Sequence, residues 1–219
     1  MNLSKLIAAL VAAAVTAAIF APATLAVPAR AKSQRHRASE RLEIPKDPAA
    51  LAASNTDMPH DAGLPGDGSN NLQFDLFRDG DIILGFDAWT VGHAGVLDGT
   101  RNISAYTYCV WSAIKSGAAC VTLEQGGKYR HYDWAFGLYV PGTTLAQRSA
   151  ARRFVSYQAG EPYVLASAKT DFTRWYCSKL PWAGYKSQAS RDLDSNGGYW
   201  VTPADLYNDA ETRVFAAAN

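Results

Sequence analysis

The chain has 219 residues, 48% hydrophobic and 19% charged, with 21 Lys and Arg set against 20 Asp and Glu. A formal charge of +1 creates no global field, which argues against nucleic acid or an anionic membrane surface as partner. The length allows one or two domains, and the composition is ordinary for a chain that buries a core.

The first thirty residues differ from the rest. Lys5 supplies a positive start, Leu6 to Phe20 is a weakly polar to apolar run, and "ATLA" and "ARA" end in small residues at Ala26 and Ala31. This three-part pattern predicts a secretory signal peptide over residues 1–31. The alternative is an uncleaved anchor, but the run is shorter than the ~20 residues a span needs. The mature protein is expected to be secreted, without a membrane span, and monomeric. Residues 32–71 are rich in Pro, Gly, Ser, Asp and Asn and carry charge without periodicity, so they read as a flexible linker or pro-segment.

A single domain is expected over residues 72–219. Asp79-Gly80 predicts a turn before an apolar strand through Ile82, Ile83 and Leu84. "WTVGHAGVLDGT" predicts a second strand closed by Asp98-Gly99, "YCVWSAI" and "CVTLEQ" a third and fourth, and "WAFGLYVPG" a fifth broken by Pro141-Gly142. The period then becomes helical. Thr143 or Thr144 can cap "TTLAQRSAARRFVSYQAG", and Thr170 or Asp171 can cap a second helix, "DFTRWYCSKLPWAGY". A short helix is expected to start at Pro203. Strands first and helices afterwards predict an α+β fold.

Export leaves an odd cysteine among three. Cys109 and Cys120 bracket a hairpin turning at Lys115-Ser116-Gly117, where they would face each other and form a disulfide. The other reading is that all three are reduced and buried. With the Cys109–Cys120 bridge, Cys177 is the one free thiol. At a helix N-terminus its thiolate would be favoured by the dipole and by spare backbone N–H groups. Of four histidines only His93 lies within an apolar strand, between Gly92 and Gly95. A histidine beside Cys177 would complete a thiolate–imidazolium pair, with a third polar group fixing the ring. Spacing cannot show that His93 and Cys177 meet. Trp89, Trp175 and Tyr176 are candidates to line the cleft.

No metal or other cofactor is expected. Asp192, Asp194 and Asn196 have the opening spacing of a calcium loop, but its twelfth position is Pro203, which is no ligand. No Cys/His cluster has zinc spacing.

The ordered set "GDIIL", "GHAGVLDG", "VPG", "GEPY", "YCSKL" and "DLDSNGGYWVTPADL" resembles the YiiX/YebB-like group of permuted NlpC-type papain-fold cysteine hydrolases, relatives of the lecithin retinol acyltransferase-like proteins. The resemblance covers roughly residues 77 to 208. It implies a circularly permuted papain-like domain, an antiparallel sheet packed against helices. It also implies Cys177 as nucleophile and His93 as general base. The family's third residue, often Glu, falls on Ser112, with Glu124 on the next strand as the alternative. Two departures stand in "CSKLPW": Lys179 replaces an acid, and Pro181 would free the Cys177 carbonyl and kink a helix beginning before the cysteine. The implied activity is hydrolysis of an amide bond, cell-wall peptide (peptidoglycan) first, or of a lipid acyl ester. The rival is a non-catalytic wall- or partner-binding module that kept the fold, motivated by Ser112, Lys179 and Pro181.

Overall fold

Each of the five apolar runs forms a strand in the computed structural model, which describes residues 69–87, 91–101, 108–115, 117 and 119–219. The expected signal peptide, nearly all of the expected linker, and Trp89 lie outside the described residues. The strands are β1 (Ile82–Phe86), β2 (His93–Leu97), β3 (Cys109–Ala113), β4 (Val121–Gln125) and β5 (Trp134–Tyr139). Three helices follow, α1 (Leu145–Tyr157), α2 (Lys179–Ala189) and α3 (Pro203–Asn208), and a last strand, β6 (Arg213–Ala218), returns to the sheet. The sheet order is β4-β3-β2-β1-β5-β6 with every neighbouring pair antiparallel. The architecture is α+β, as the order of periodicities predicts.

β1, β2 and β3 are buried at every position, so they read as continuous apolar runs rather than alternating ones. One face, with Ile82, Leu84, Ala94 and Val96, packs against Val155, Leu180, Ala183 and Tyr185 of α1 and α2. The other, with Ile83, Leu97 and Val110, packs against Phe74, Tyr129, Tyr132 and Phe215. Helix starts follow the expected chemistry. Thr144 and Gln147 form a reciprocal capping box on α1, and Thr202 and Asp205 form one on α3, with Pro203 at the first turn.

Two expectations need correction, and one further element was not expected. The first is the hairpin pair: the β3–β4 ladder sets Cys109 against Gln125 and Ala113 against Val121, and all three cysteines are free. The connection is longer than the turn expected at residues 115–117. Cys120 therefore lies five positions before the partner of Cys109, about 16 Å along a strand, beyond the reach of a disulfide. The second is α2. It begins at Lys179 with Ser178 as N-cap, and residues 171–178 are turns rather than helix. Cys177 thus precedes the helix. Pro181 is its third residue, where a missing N–H costs nothing because first-turn amides have no intrahelical acceptor. No kink is required. The unexpected element is β6, whose "RVFAAA" carries little β-propensity; pairing with β5 places it at the sheet edge.

Candidate active site

His93 opens β2 on the same face as Tyr129 and Tyr132, and two glycines make that position possible. Gly85 pairs with His93 across the β1–β2 ladder, and a Cβ there would stand 2.3 Å from the Tyr132 ring. A Cβ on Gly95 would stand 2.7 Å from the Tyr129 hydroxyl and 2.3 Å from Val110. The space that Gly95 leaves is therefore filled by a tyrosine, not by a ligand. Both tyrosine rings lie nearly parallel to the imidazole, at centroid distances of 5.6 Å and 6.4 Å. Burial pushes both phenols well above their ordinary pKa, so each stays neutral over the ring. Aromatic faces at such distances favour a cation.

The strands on the other side supply the polar partners. On the β3–β4 ladder Ser112 faces Thr122 and Val110 faces Glu124, which puts Ser112 and Glu124 on one face of the sheet two positions apart. Both converge on one nitrogen: His93 Nε2 lies 3.0 Å from Glu124 Oε2 and 2.8 Å from Ser112 Oγ. The other carboxylate oxygen, Oε1, accepts from Lys128 Nζ at 3.1 Å. Sequence reasoning set Ser112 and Glu124 as alternatives; the fold brings them to the ring together.

Nε2 facing a carboxylate is the proton-bearing nitrogen, which leaves Nδ1 as the basic one. Nδ1 is buried and has no partner at hydrogen-bond geometry among the described residues. Next to the ring is Cys177. Burial acts to lower the His93 pKa, but the neighbouring Cys177 and the bonded Glu124 carboxylate outweigh it and raise it from 6.5 to about 10. Glu124 answers in the opposite direction. Burial raises it, and the bonds to His93 and Lys128 overcome that and bring it down to about 2. The imidazolium and the carboxylate hold each other charged.

Cys177 is fixed by different means. It is 1% exposed, packed on Val91, and stands just before the positive end of α2. Its neighbours clamp one residue: the Tyr176 hydroxyl accepts from the Val201 amide at 3.1 Å, and Ser178 Oγ donates to the Val201 carbonyl at 2.7 Å. The preceding loop is gathered by Lys179, which does not face solvent as a surface replacement for an acid would. It is 0% exposed. Its ammonium donates to Ser167 Oγ at 3.4 Å and to the carbonyls of Ala168 (2.7 Å), Asp171 and Arg174 (2.8 Å). It also lies 5.1 Å over the Trp175 ring and 5.8 Å over that of Tyr176. Burial lowers its pKa to about 8, and it keeps its proton at neutral pH.

A small cleft, open in part to solvent, lies beside the thiol, with Val91, Leu165, Tyr176, Trp200, Val201 and Pro203 in its wall. Tyr176 takes the cleft position expected of it. Trp175 does not: it is 0% exposed, its indole N–H is bonded to Glu161, and it belongs to the core under α1 and α2. The sequence reading missed Tyr129, Tyr132 and Trp200. Two tyrosines three apart in "KYRHYDW" were the available signal for the first two.

The calcium-like loop turns its acids to protein donors. Asp192 accepts from Trp182 Nε1 and Lys186, Asp194 pairs with Lys169, and Asn196 donates to Asp205. Among the described residues no three His, Cys, Asp or Glu side chains are grouped to hold a metal ion.

No protein-family profile matches the sequence, and no curated protein matches it either. Among solved structures, the metalloprotein YiiX from Escherichia coli O157:H7 (DUF1105) is similar, with a TM-score of 0.49 and 15% sequence identity. The likeness covers 64% of this chain and 96% of that one. At that distance the chemistry has to be read from this chain's own residues.

Proposed function

We propose that the chain is a secreted thiol hydrolase of the permuted papain-like type, in which Cys177 is the nucleophile and His93 the general base. One observation carries the reading. His93 is buried beside the Cys177 thiol, with Nε2 3.0 Å from the Glu124 carboxylate and 2.8 Å from Ser112 Oγ, while Nδ1 is buried without a partner among the described residues. The raised pKa of the ring agrees with a charge held there.

The chemistry follows from the partners. In the reactive state the thiol's proton already stands on His93 Nδ1 as a thiolate–imidazolium pair, while Nε2–H stays on Glu124, with Ser112 beside it. The thiolate attacks an amide or ester carbonyl, the carbon–sulfur bond forms, and the carbonyl π pair becomes an oxyanion. The backbone N–H of Cys177, at the start of α2, is a donor for it. Collapse breaks the bond to the leaving amine or alkoxide, which takes the proton from Nδ1. Water, activated by the same nitrogen, then hydrolyses the thioester. Glu124 adds the charge that Ser112 lacks, and the buried Lys179 and first-turn Pro181 both have structural roles, so the motives for the non-catalytic rival weaken.

Cell-wall peptide is the substrate first suggested by an exported protein of this resemblance. The cavity favours the second reading, an ester or amide of an apolar acid, because none of the described residues that line it carries a charged side chain. Iodoacetamide tests the nucleophile: rapid alkylation of Cys177 at neutral pH, slowed by His93→Ala, is expected. A native Cys177 that does not react would refute the enzyme reading. Wild type against Cys177→Ala on peptidoglycan fragments and on acyl esters then separates the substrates.

A further inference from the structure

We infer that the indole N–H of Trp200 is the donor that holds the substrate's carbonyl oxygen, and that the cavity beside Cys177 takes a neutral acyl group with an apolar chain. This rests on the reading of Cys177 as nucleophile. Nine of the described residues line the cavity, and five of them carry a polar side-chain group. Four of those groups are already engaged. The Tyr176 hydroxyl accepts from Val201 N, Ser178 Oγ donates to Val201 O, and Thr202 Oγ1 is spent in the capping box with Asp205. The Cys177 thiol is set against His93. The fifth is Trp200 Nε1. It is buried and has no hydrogen-bond partner among the described residues.

A buried N–H left unpaired is unfavourable, and native structures keep few of them without a functional reason. Here the orphan donor belongs to a wall residue of the cavity that also holds the nucleophile. The remaining wall, Val91, Leu165, Val201 and Pro203, offers no polar side chain. A ligand that satisfies this lining brings one acceptor and an apolar remainder, which describes an uncharged acyl carbonyl. A substrate with a carboxylate along this wall would bury a charge against Val91, Leu165, Val201 and Pro203, and the His93 imidazolium is already paired with Glu124. In the reaction the indole N–H and the Cys177 amide share the oxyanion; the proton traffic through His93 is unchanged.

The test compares two reactions of the same thiol. Acyl transfer from p-nitrophenyl butyrate builds an oxyanion; disulfide exchange with 4,4′-dithiodipyridine does not. Trp200→Phe keeps the ring and deletes the N–H. It should slow acyl transfer about 100-fold, the usual effect of losing one oxyanion donor, and leave the exchange rate unchanged. Equal loss in both reactions, or loss in neither, overturns the inference. A second measurement needs no turnover. In ¹⁵N-labelled Cys177→Ala protein, the Trp200 indole resonance, assigned by its absence in Trp200→Phe, should move downfield on titration with hexanamide. A resonance that stays fixed up to the solubility of the amide overturns the inference. A wild-type protein that transfers no acyl group refutes the Cys177 reading instead, and the titration still decides whether Trp200 binds a carbonyl.

Discussion

The histidine side and the cysteine side of the site are held in different ways. His93, Ser112 and Glu124 stand on three adjacent strands, so the ladder fixes their mutual positions, with two tyrosines closing over the ring. Cys177 stands outside any ladder, between a loop drawn together by the Lys179 ammonium and the segment clamped at Val201. A base must hold its proton-accepting geometry through the cycle, and a sheet supplies that. A nucleophile must reach the carbonyl and then release it, and a loop gathered on one cation is the softer mounting. Local stability of this kind varies with the density of buried contacts and backbone bonds.

The largest effect should come from the strand side. His93→Ala removes the base and should slow alkylation of Cys177 by iodoacetamide about 100-fold or more at neutral pH. The substitution also leaves Glu124 buried without its partner, so the melting temperature should fall as well, and the rates are compared well below it. A large fall in stability with little change in rate would invert the division of labour described above.

Lys179→Met breaks the loop side. The methionine has similar length and fills the apolar part of the space, but four acceptors lose their donor. Hydrogen bonds to a charged group contribute about 1.5–3 kcal/mol each, and part of that returns as water reaches the loop, so a net loss of about 2 kcal/mol is expected. Urea unfolding measures it. Proteolysis of the native protein should move its first cut into residues 167–174, and the alkylation rate should fall several-fold while the His93 titration, read by NMR, stays in place. A shift of that titration would couple the two sides directly.

How much of this was legible beforehand depends on which side is considered. The five first strands, their turns and the caps of α1 and α3 follow from local chemistry, and His93 was found because it is a polar residue in an apolar strand. The third residue was not decided, because Ser112 and Glu124 are adjacent in space only through the β3–β4 register. The same register decides the expected disulfide, since it sets Cys109 against Gln125 and leaves Cys120 beyond the end of the ladder. The loop side was misread. Nothing local distinguishes a lysine that faces water from one that gathers carbonyls at positions 168, 171 and 174, and the helix start was set eight residues early because "DFTRWYC" has helical periodicity with no ladder or cap to support it. Trp200 was invisible for the same reason, since its spare N–H matters only once the other cavity groups are seen to be engaged.

Glu124→Gln and Ser112→Ala divide the strand side more finely. The glutamine keeps the shape and removes the charge that helps hold His93 near 10, so alkylation should fall about 10-fold, one unit of pKa being a factor of ten in the proton equilibrium. Ser112→Ala removes an uncharged contact at 2.8 Å and should cost about three-fold, the scale of one neutral hydrogen bond. Equal effects would mean that the serine, not the carboxylate, orients the ring.

The smallest effect is a tilt in stability with pH. Glu124 is held near 2, below its ordinary 4.5, so its contribution is whole above 4.5 and is lost as pH falls toward 2. His93 is held near 10, above its ordinary 6.5, so its contribution is whole below 6.5 and is lost as pH rises through 10. The pair therefore stabilises the fold fully only between 4.5 and 6.5. Other carboxylates also sit low, Asp98 and Asp192 among them, and they contribute their own acid limbs. The useful quantity is the difference between the urea midpoints of wild type and Glu124→Gln across pH. It should be greatest from 4.5 up to the pH at which the variant's ring loses its proton, shrink below 4.5, and shrink again toward 10, because the ring loses its proton sooner in the variant than in the wild type. Lys179 stands across the site from this pair and is not bonded to it, so Lys179→Met should displace the whole curve and leave the difference unchanged. A Lys179→Met background that abolished the plateau would show that the loop side sets the charge of the strand side.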